Sequence, residues 1–267
     1  MQRLGPNSAE ENENHGLLTL ITGASSGIGL AYARHFAKRN HRLLLVAKDK
    51  QRLELASESL GDISKTPITS DLRTRQSVND LCDRIETPQI VIANAGVTQH
   101  GPVGQFSAQD RDQLYYLLCG GVIDLLENLV PRMLSEKGGR ILIVSSIAAL
   151  TPMRKSSIYA SAKAAVARYG DSLAEELKST NVSLTVSLPG YVRTNAHARA
   201  GLHHLSKQIP NWMWLTAEQM VLESERAALK GHPTVIPGRV YRWARPFLGS
   251  PLANRIWSTL SRRKPAA

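Results

Sequence analysis

A short apolar run, Leu17-Leu-Thr-Leu-Ile21, breaks directly into Thr22-Gly-Ala-Ser-Ser-Gly-Ile-Gly29. The chain then turns amphipathic, with Ile28, Leu30, Ala31, Ala33, Phe36 and Ala37 as its apolar members. Strand, glycine-rich turn and helix follow one another in the order with which a dinucleotide-binding fold begins. Gly23 permits the tight turn, Gly27 lets backbone approach a pyrophosphate with no Cβ in the way, and Gly29 lets the helix pack on the strand. Free N–H groups and the dipole at the helix start then face the phosphates. Gly23, Ser25, Ser26, Gly27, Ile28 and Gly29 are accordingly the candidate phosphate-binding residues. The alternative is an ordinary strand-to-helix turn with incidental glycines.

The same alternation continues. A second strand, Arg42-Leu-Leu-Leu-Val-Ala47, ends in Lys48-Asp49-Lys50. The residue just past this strand meets the adenosine ribose, where an acid suits NAD and a base suits NADP. Lys48 is the best-aligned residue and favours NADP(H) over NAD(H). Asp49 pulls the other way, and Lys48 is alternatively a solvated loop lysine. A short strand at Pro67-Ile-Thr-Ser70 leads to Asp71-Leu72, where the acid suits a helix N-terminus as well as a ligand. Ile90-Val-Ile-Ala-Asn-Ala-Gly96 is a buried strand opening into a small-residue turn, Asn94, Ala95 and Gly96, against which a cofactor can lie. Strand and helix patterns alternate without linker or internal repeat. They predict one α/β domain over residues 17–238, a Rossmann-type doubly wound parallel sheet in three αβα layers. A chain of 267 residues can bury a core of that size.

Chemistry enters at Ile158-Tyr-Ala-Ser-Ala-Lys163, with Ser146 thirteen residues before Tyr159 at the end of Arg140-Ile-Leu-Ile-Val-Ser-Ser146. Tyr159 and Lys163, at i and i+4, share one helix face. A free tyrosine, with a pKa of about 10, is a poor acid or base near neutrality. A neighbouring lysine cation favours the phenolate and brings the hydroxyl into working range. A serine hydroxyl from the strand end can bond the same substrate oxygen. Alone, a Tyr-x-x-x-Lys pair is commonly a solvated helix pair; beside a nucleotide fingerprint it reads as proton-transfer machinery at a carbonyl or alcohol.

Thr22-Gly-x-x-x-Gly-x-Gly29, Asn94-Ala-Gly96, Ser146, Tyr159-x-x-x-Lys163 and Pro189-Gly190 in this order resemble the short-chain dehydrogenase/reductase family over residues 17–194. The resemblance implies that Tyr159 is the general acid/base, that Lys163 lowers its pKa and holds the nicotinamide ribose, and that Ser146 positions the substrate oxygen. It further implies that Asp71 meets adenine, that Asn94 and Gly96 line the adenosine ribose, and that Leu72 and Ala95 belong to the same cofactor-binding set. Pro189, Gly190, Val192 and Thr194 would meet the nicotinamide end, Thr194 at the carboxamide. A substrate lid follows at about residues 190–216, with His197, His203, His204 and Trp212-Met-Trp214. Its aromatics either wall an apolar pocket or fasten the loop to the core. Assembly into a homodimer or homotetramer through helices around residues 112–137 and 156–178 is also implied. The chain departs from the family at Leu118. Members carry there an asparagine that supports a water relay to the lysine, and leucine cannot hydrogen-bond. Tyr115, Tyr116 and Cys119 are substitutes to weigh against simple helix packing.

Charge is uneven. Of the formal +11, the residues from Tyr191 onward hold twelve Lys/Arg against Glu218, Glu223 and Glu225. Residues 239–267 read as a basic, aromatic extension, from Arg239-Val-Tyr-Arg-Trp-Ala-Arg-Pro-Phe247 through Trp257 to Arg262-Arg-Lys264. They suit a solvated tail packed on the domain or a second subunit, or peripheral contact with an anionic membrane; no nucleic-acid partner is expected. Residues 1–16 are polar and lack an apolar signal core, so a disordered leader is expected. No run reaches the ~18 apolar residues of a membrane span. Cys82 and Cys119 fall in separate helices, which disfavours a disulfide and favours a cytoplasmic setting. Neither they nor the histidines show metal-ligand spacing, so no metal is expected. The sum is an NADP(H)-dependent oxidoreductase interconverting a ketone and a secondary alcohol, as a reductase of an apolar, acyl or polycyclic carbonyl. The alternative is a catalytically weak or inactive NADP-binding sensor or scaffold with a membrane- or protein-contacting tail. An epimerase or dehydratase on a related fold fits the glycine spacing and length less well.

Overall fold

Strands that read as unbroken apolar runs need cover on both faces, and that is how this chain folds. A computed structural model describes residues 16–136, 138–194 and 209–247. The expected leader, the lid histidines His197, His203 and His204, and the tail from residue 248 with Trp257 lie outside the described residues. Seven strands, β1 (Leu18–Thr22), β2 (Arg42–Ala47), β3 (Lys65–Thr69), β4 (Ile90–Ala93), β5 (Gly139–Val144), β6 (Val182–Ser187) and β7 (Thr234–Val235), form one parallel sheet in the order β3-β2-β1-β4-β5-β6-β7. Helices α1 (Gly27–Ala37), α2 (Lys50–Glu58) and α7 (Ala217–Leu229) cover one face. Helices α3 (Arg75–Arg84), α4 (Ala108–Tyr115), α5 (Gly121–Ser135) and α6 (Ser157–Glu176) cover the other. A short α8 (Arg239–Ala244) closes the described chain before a final tight turn.

The period-two rule divides the core. In β2, Leu43 and Leu45 face α1 and α7 while Leu44 and Val46 face α3–α6; in β4, Ile90 and Ile92 oppose Val91 and Ala93. The strand order reverses between β1 and β4, each of which crosses over to its own half of the sheet. A crevice therefore opens at the carboxyl ends of these strands, where open α/β sheets bind ligands.

Three boundaries differ from those read in the sequence. The β3 ladder runs Lys65–Thr69, earlier than the Pro67–Ser70 segment; Pro67 is tolerated because β3 is the edge strand and pairs only with β2. β5 stops at Val144, so Ser145 and Ser146 stand past it, on the crevice lip. The boundary expected at residue 238 falls inside packed structure: Tyr241 of α8 is 2% exposed, and its hydroxyl accepts from the Tyr191 N–H and donates to the Met213 carbonyl. The helical run Ala108–Ser135 is also long and apolar enough to cross a membrane by length and composition, although no plain run of side chains suggested it; half of it is buried against the sheet.

One polar feature is buried far from the crevice. The Arg140 guanidinium meets the Glu225 carboxylate at 2.6 Å with both side chains largely buried, linking β5 to α7. Burial pushes Glu225 up and the Arg140 charge pulls it back. Removing one partner of a buried pair strands the other charge, at about 3–5 kcal/mol. Glu225→Ala is therefore expected to lower the unfolding midpoint by roughly 10 °C in a chain of this size. A shift of a degree or two in calorimetry would show that the pair contributes little.

Candidate active site

Thr22 knits the two central strands together at the crevice. Its hydroxyl accepts from the N–H groups of Asn94 and Ala95, both at 2.9 Å, and the Asn94 amide donates back to the Thr22 carbonyl at 2.9 Å. The three glycines are each held by contact. Gly23 has φ +70°, and a Cβ on it would stand 2.9 Å from the Asn94 amide; a Cβ on Gly29 would stand 2.2 Å from the Gly23 carbonyl oxygen. Gly27, at φ +57°, faces Thr194 across the crevice. Ser26 sits at the N-cap of α1 in extended conformation without capping the helix through its side chain, and the first turn holds no acid. The helix start is thus open to an anion.

From there a trough runs both ways. One arm is lined by Gly23, Ser25, Ser26, Lys48, Asp71, Leu72, Ala95 and Gly96, together with Arg52 and Arg73. The other holds Gly27, Ile28, Asn94, Leu118, Ser146, Tyr159, Lys163, Pro189, Gly190, Val192 and Thr194. Every residue singled out for the cofactor except Gly29, which packs beneath the turn, lines one arm or the other. Arg52 and Arg73 were missed. Asp49 caps α2 by accepting from the Arg52 N–H at 3.0 Å and is held by the Arg52 side chain at 2.6 Å, which keeps its carboxyl below the usual range. Asp71 is likewise gripped by Arg73, and its carboxyl is lowered mainly by that hydrogen bond. An acid followed two or three residues later by arginine is a signal that sequence reading could have used. Lys48 has no such partner among the described residues. The cradle, the open helix start and the cationic arm fit a nicotinamide dinucleotide.

At the other arm Ser146, Tyr159 and Lys163 converge. Ser146 is extended, its hydroxyl accepting from the Ala148 N–H at 3.1 Å, and it lines the same cleft as the Tyr159 phenol. Ser145 turns inward and donates to the Lys163 carbonyl at 2.8 Å, tying α6 to the end of β5. The Lys163 ammonium, 6% exposed, donates to the Val144 carbonyl at 2.8 Å. Burial lowers its pKa to about 8. For Tyr159 the sequence-based expectation needs correction. Burial raises the phenol above its ordinary value, and the Ser146 hydroxyl, not the lysine cation, opposes that rise.

Leu118 is fully buried in a wide π-helical turn, Tyr116–Gly120, between α4 and α5. Gly120 and Gly121 seat the Tyr116 ring there, where a Cβ on either would come within 3.1 Å of it. Tyr116 donates to Asp124 at 2.6 Å and Tyr115 is solvent-exposed, so neither substitutes for the missing asparagine. Cys119 is a buried free thiol whose pKa burial raises and the Lys163 charge lowers. Of the expected lid aromatics, Trp214 fastens the loop: it donates to the Ile209 carbonyl at 3.2 Å and packs on Tyr191, with Arg193 over its ring. Met213 is buried and Trp212 is 64% exposed.

A glycine-cradled helix start at the switch point of a parallel sheet, continuous with a cleft bearing Ser, Tyr and Lys, defines an NAD(P)-dependent oxidoreductase. Residues 18–204 match the family model for short chain dehydrogenase, and the chain belongs to that family. It is 33% identical over 185 residues to Oxidoreductase UcpA of Salmonella typhimurium, covering 67% of this chain and 70% of that one. A short-chain dehydrogenase from Sphingobium yanoikuyae in complex with NADPH superposes with a TM-score of 0.78 at 27% identity, covering 94% of this chain and 98% of that one. The bulky-bulky ketone specific alcohol dehydrogenase from Comamonas testosteroni gives 0.74 at 26% identity, over 94% and 96% of the two chains.

Proposed function

We propose that this chain is an NADP(H)-dependent reductase that interconverts a ketone and a secondary alcohol, acting on an apolar, acyl or polycyclic carbonyl. The observation that carries the reading is the Tyr159 phenol, half-buried beside Ser146 and Lys163 in the cleft that continues from the glycine cradle. With its pKa raised, Tyr159 keeps its proton at neutral pH and is poised to deliver it to a carbonyl oxygen that Ser146 also bonds. Lys163 stiffens the base of the cleft through Val144 and offers its remaining N–H donors to a ribose. The nicotinamide supplies hydride when bound; Gly23 to Gly29 would hold its phosphates, and Asn94 to Gly96 its adenosine side. A ketone substrate is supported by the relative from Comamonas, named for bulky ketones.

Preference for NADP(H) is supported by Lys48, which lines this arm and makes no ion pair among the described residues, while both nearby acids are gripped by arginines. The NADPH-bound relative points the same way. Lys48→Ala is expected to raise the KM for NADPH by about 10- to 100-fold, the worth of one charge-assisted hydrogen bond, and to leave NADH nearly unchanged. Equal effects on both cofactors would remove the 2′-phosphate from the argument. The whole reading is tested by NADPH oxidation against a ketone panel. Turnover on any secondary-alcohol-forming ketone supports it, whereas tight NADPH binding with no turnover across the panel favours a cofactor-binding sensor. A homodimer or homotetramer through α5 and α6, a cytoplasmic setting consistent with the two free thiols, and membrane-peripheral contact through the C-terminal segment complete the proposal.

A further inference from the structure

The last described segment has two dissimilar faces. Tyr241 points inward and bolts α8 to the cleft wall: its hydroxyl bridges Tyr191 and Met213, and its ring lies so close under Gly190 that an added Cβ would stand 2.1 Å from it. On the opposite side Arg239, Trp243 and Phe247 fall at i, i+4 and i+8, a single stripe along the helix and the turn that continues it. Trp243 is 80% and Phe247 64% exposed, although both are large enough to fill core space.

The charge on this segment has one sign. From Arg239 to the last residue there are seven cations, Arg239, Arg242, Arg245, Arg255, Arg262, Arg263 and Lys264, and no acid. Arg242 is engaged by Glu223, while Arg239 and Arg245 have no ion pair among the described residues. Exposed indole and phenyl rings between uncommitted guanidinium groups match the headgroup layer of an anionic bilayer. There the rings leave water and the cations meet lipid phosphates. A purely electrostatic partner would satisfy the arginines and leave Trp243 and Phe247 in water.

We propose that the Arg239–Trp243–Phe247 face docks this protein on an anionic lipid bilayer. The stripe and Tyr241 lie on opposite sides of one helix, so the docked surface stands about 10 Å, one helix diameter, from the loop at Gly190 and Tyr191 that walls the cleft. The substrate this arrangement serves is an apolar carbonyl compound dissolved in that bilayer. That last step rests on the reductase reading above; the docking assigns residues to the membrane contact proposed there and stands without the reductase reading.

The test is sedimentation of the full chain with phosphatidylcholine vesicles, with and without phosphatidylglycerol. Binding should be at least about tenfold tighter to the anionic vesicles, since each basic residue near such a surface contributes on the order of 1 kcal/mol, and should weaken as salt is raised. Trp243→Ser with Phe247→Ser should lower binding by a further tenfold or more, with the unfolding midpoint unchanged because both side chains are exposed. Arg239→Glu with Arg245→Glu provides a second variant and should cut the preference for phosphatidylglycerol by about tenfold or more. Failure to bind anionic vesicles, or equal binding by wild type and the serine variant, overturns the proposal. So does a change in the oligomeric mass of the serine variant, which would assign the face to a second copy. Vesicle binding without turnover on any ketone keeps the docking and removes the reductase reading; turnover without vesicle binding does the reverse.

Discussion

Replacing Tyr159 by phenylalanine is expected to cut ketone reduction by about a thousandfold in kcat, within the 10²–10⁴ span of a general acid. NADPH binding should change by no more than about tenfold, the worth of one neutral hydrogen bond. The ring stays in place and only the hydroxyl goes, so a loss confined to kcat isolates proton delivery from folding. The pH dependence gives a second reading of the same group. Because burial raises this phenol above its ordinary value, it stays protonated through the neutral range. Ketone reduction, which consumes that proton, should be flat between about pH 6 and 8, whereas alcohol oxidation, which needs the phenolate, should climb about tenfold per pH unit over the same range. Stopped assays in both directions would separate these slopes. A phenylalanine variant that keeps more than a tenth of wild-type turnover removes Tyr159 from the chemistry.

What could be read from the residues alone follows the range of the interactions. The glycine cradle is local: Gly23, Gly27 and Gly29 act within one strand-turn-helix unit, and their spacing carries the geometry. The i,i+4 placement of Tyr159 and Lys163 is likewise a helix property. The parallel, helix-covered sheet was legible because strand runs apolar on both faces demand cover on both sides; the strand order was not. The contacts that set the electrostatics were not legible. Lys163 bonds Val144 nineteen residues back, Tyr241 reaches Tyr191 across 50, and Arg140 finds Glu225 across 85. No spacing rule connects such residues before the fold does. This is why the net direction of the tyrosine's shift was not legible: burial raises the phenol by more than the Ser146 hydroxyl offsets. Past residue 238 the composition left packing on the domain and outward contact both open; Tyr241 packs inward while Trp243 and Phe247 stay exposed, a division no spacing rule gave.

Lys163→Met should make the protein more stable and nearly inactive at once. The folded pKa of Lys163 is lowered from 10.5 to about 8 by burial. Below pH 8 both folded and unfolded chains carry the proton, and the fold bears the full cost of a buried ammonium. That cost is about 3 kcal/mol for a shift of this size. Between pH 8 and 10.5 the unfolded chain binds a proton that the folded chain has released, so stability rises with pH through this window as the penalty is relieved. Methionine has similar length and no charge. Against the relief stands the lost bond to the Val144 carbonyl, worth about 1 kcal/mol, which leaves a gain near 2 kcal/mol at pH 7. In thermal unfolding that is a rise of roughly 4–8 °C at pH 7, shrinking towards zero or below as the pH approaches 10.5. Turnover should fall at least a hundredfold, since the cleft loses the cation beneath Tyr159 and the donors facing the ribose. A variant destabilised at pH 7 would mean that the ammonium is held at no cost, and with it the argument that this site trades stability for a dry, charged base would fail.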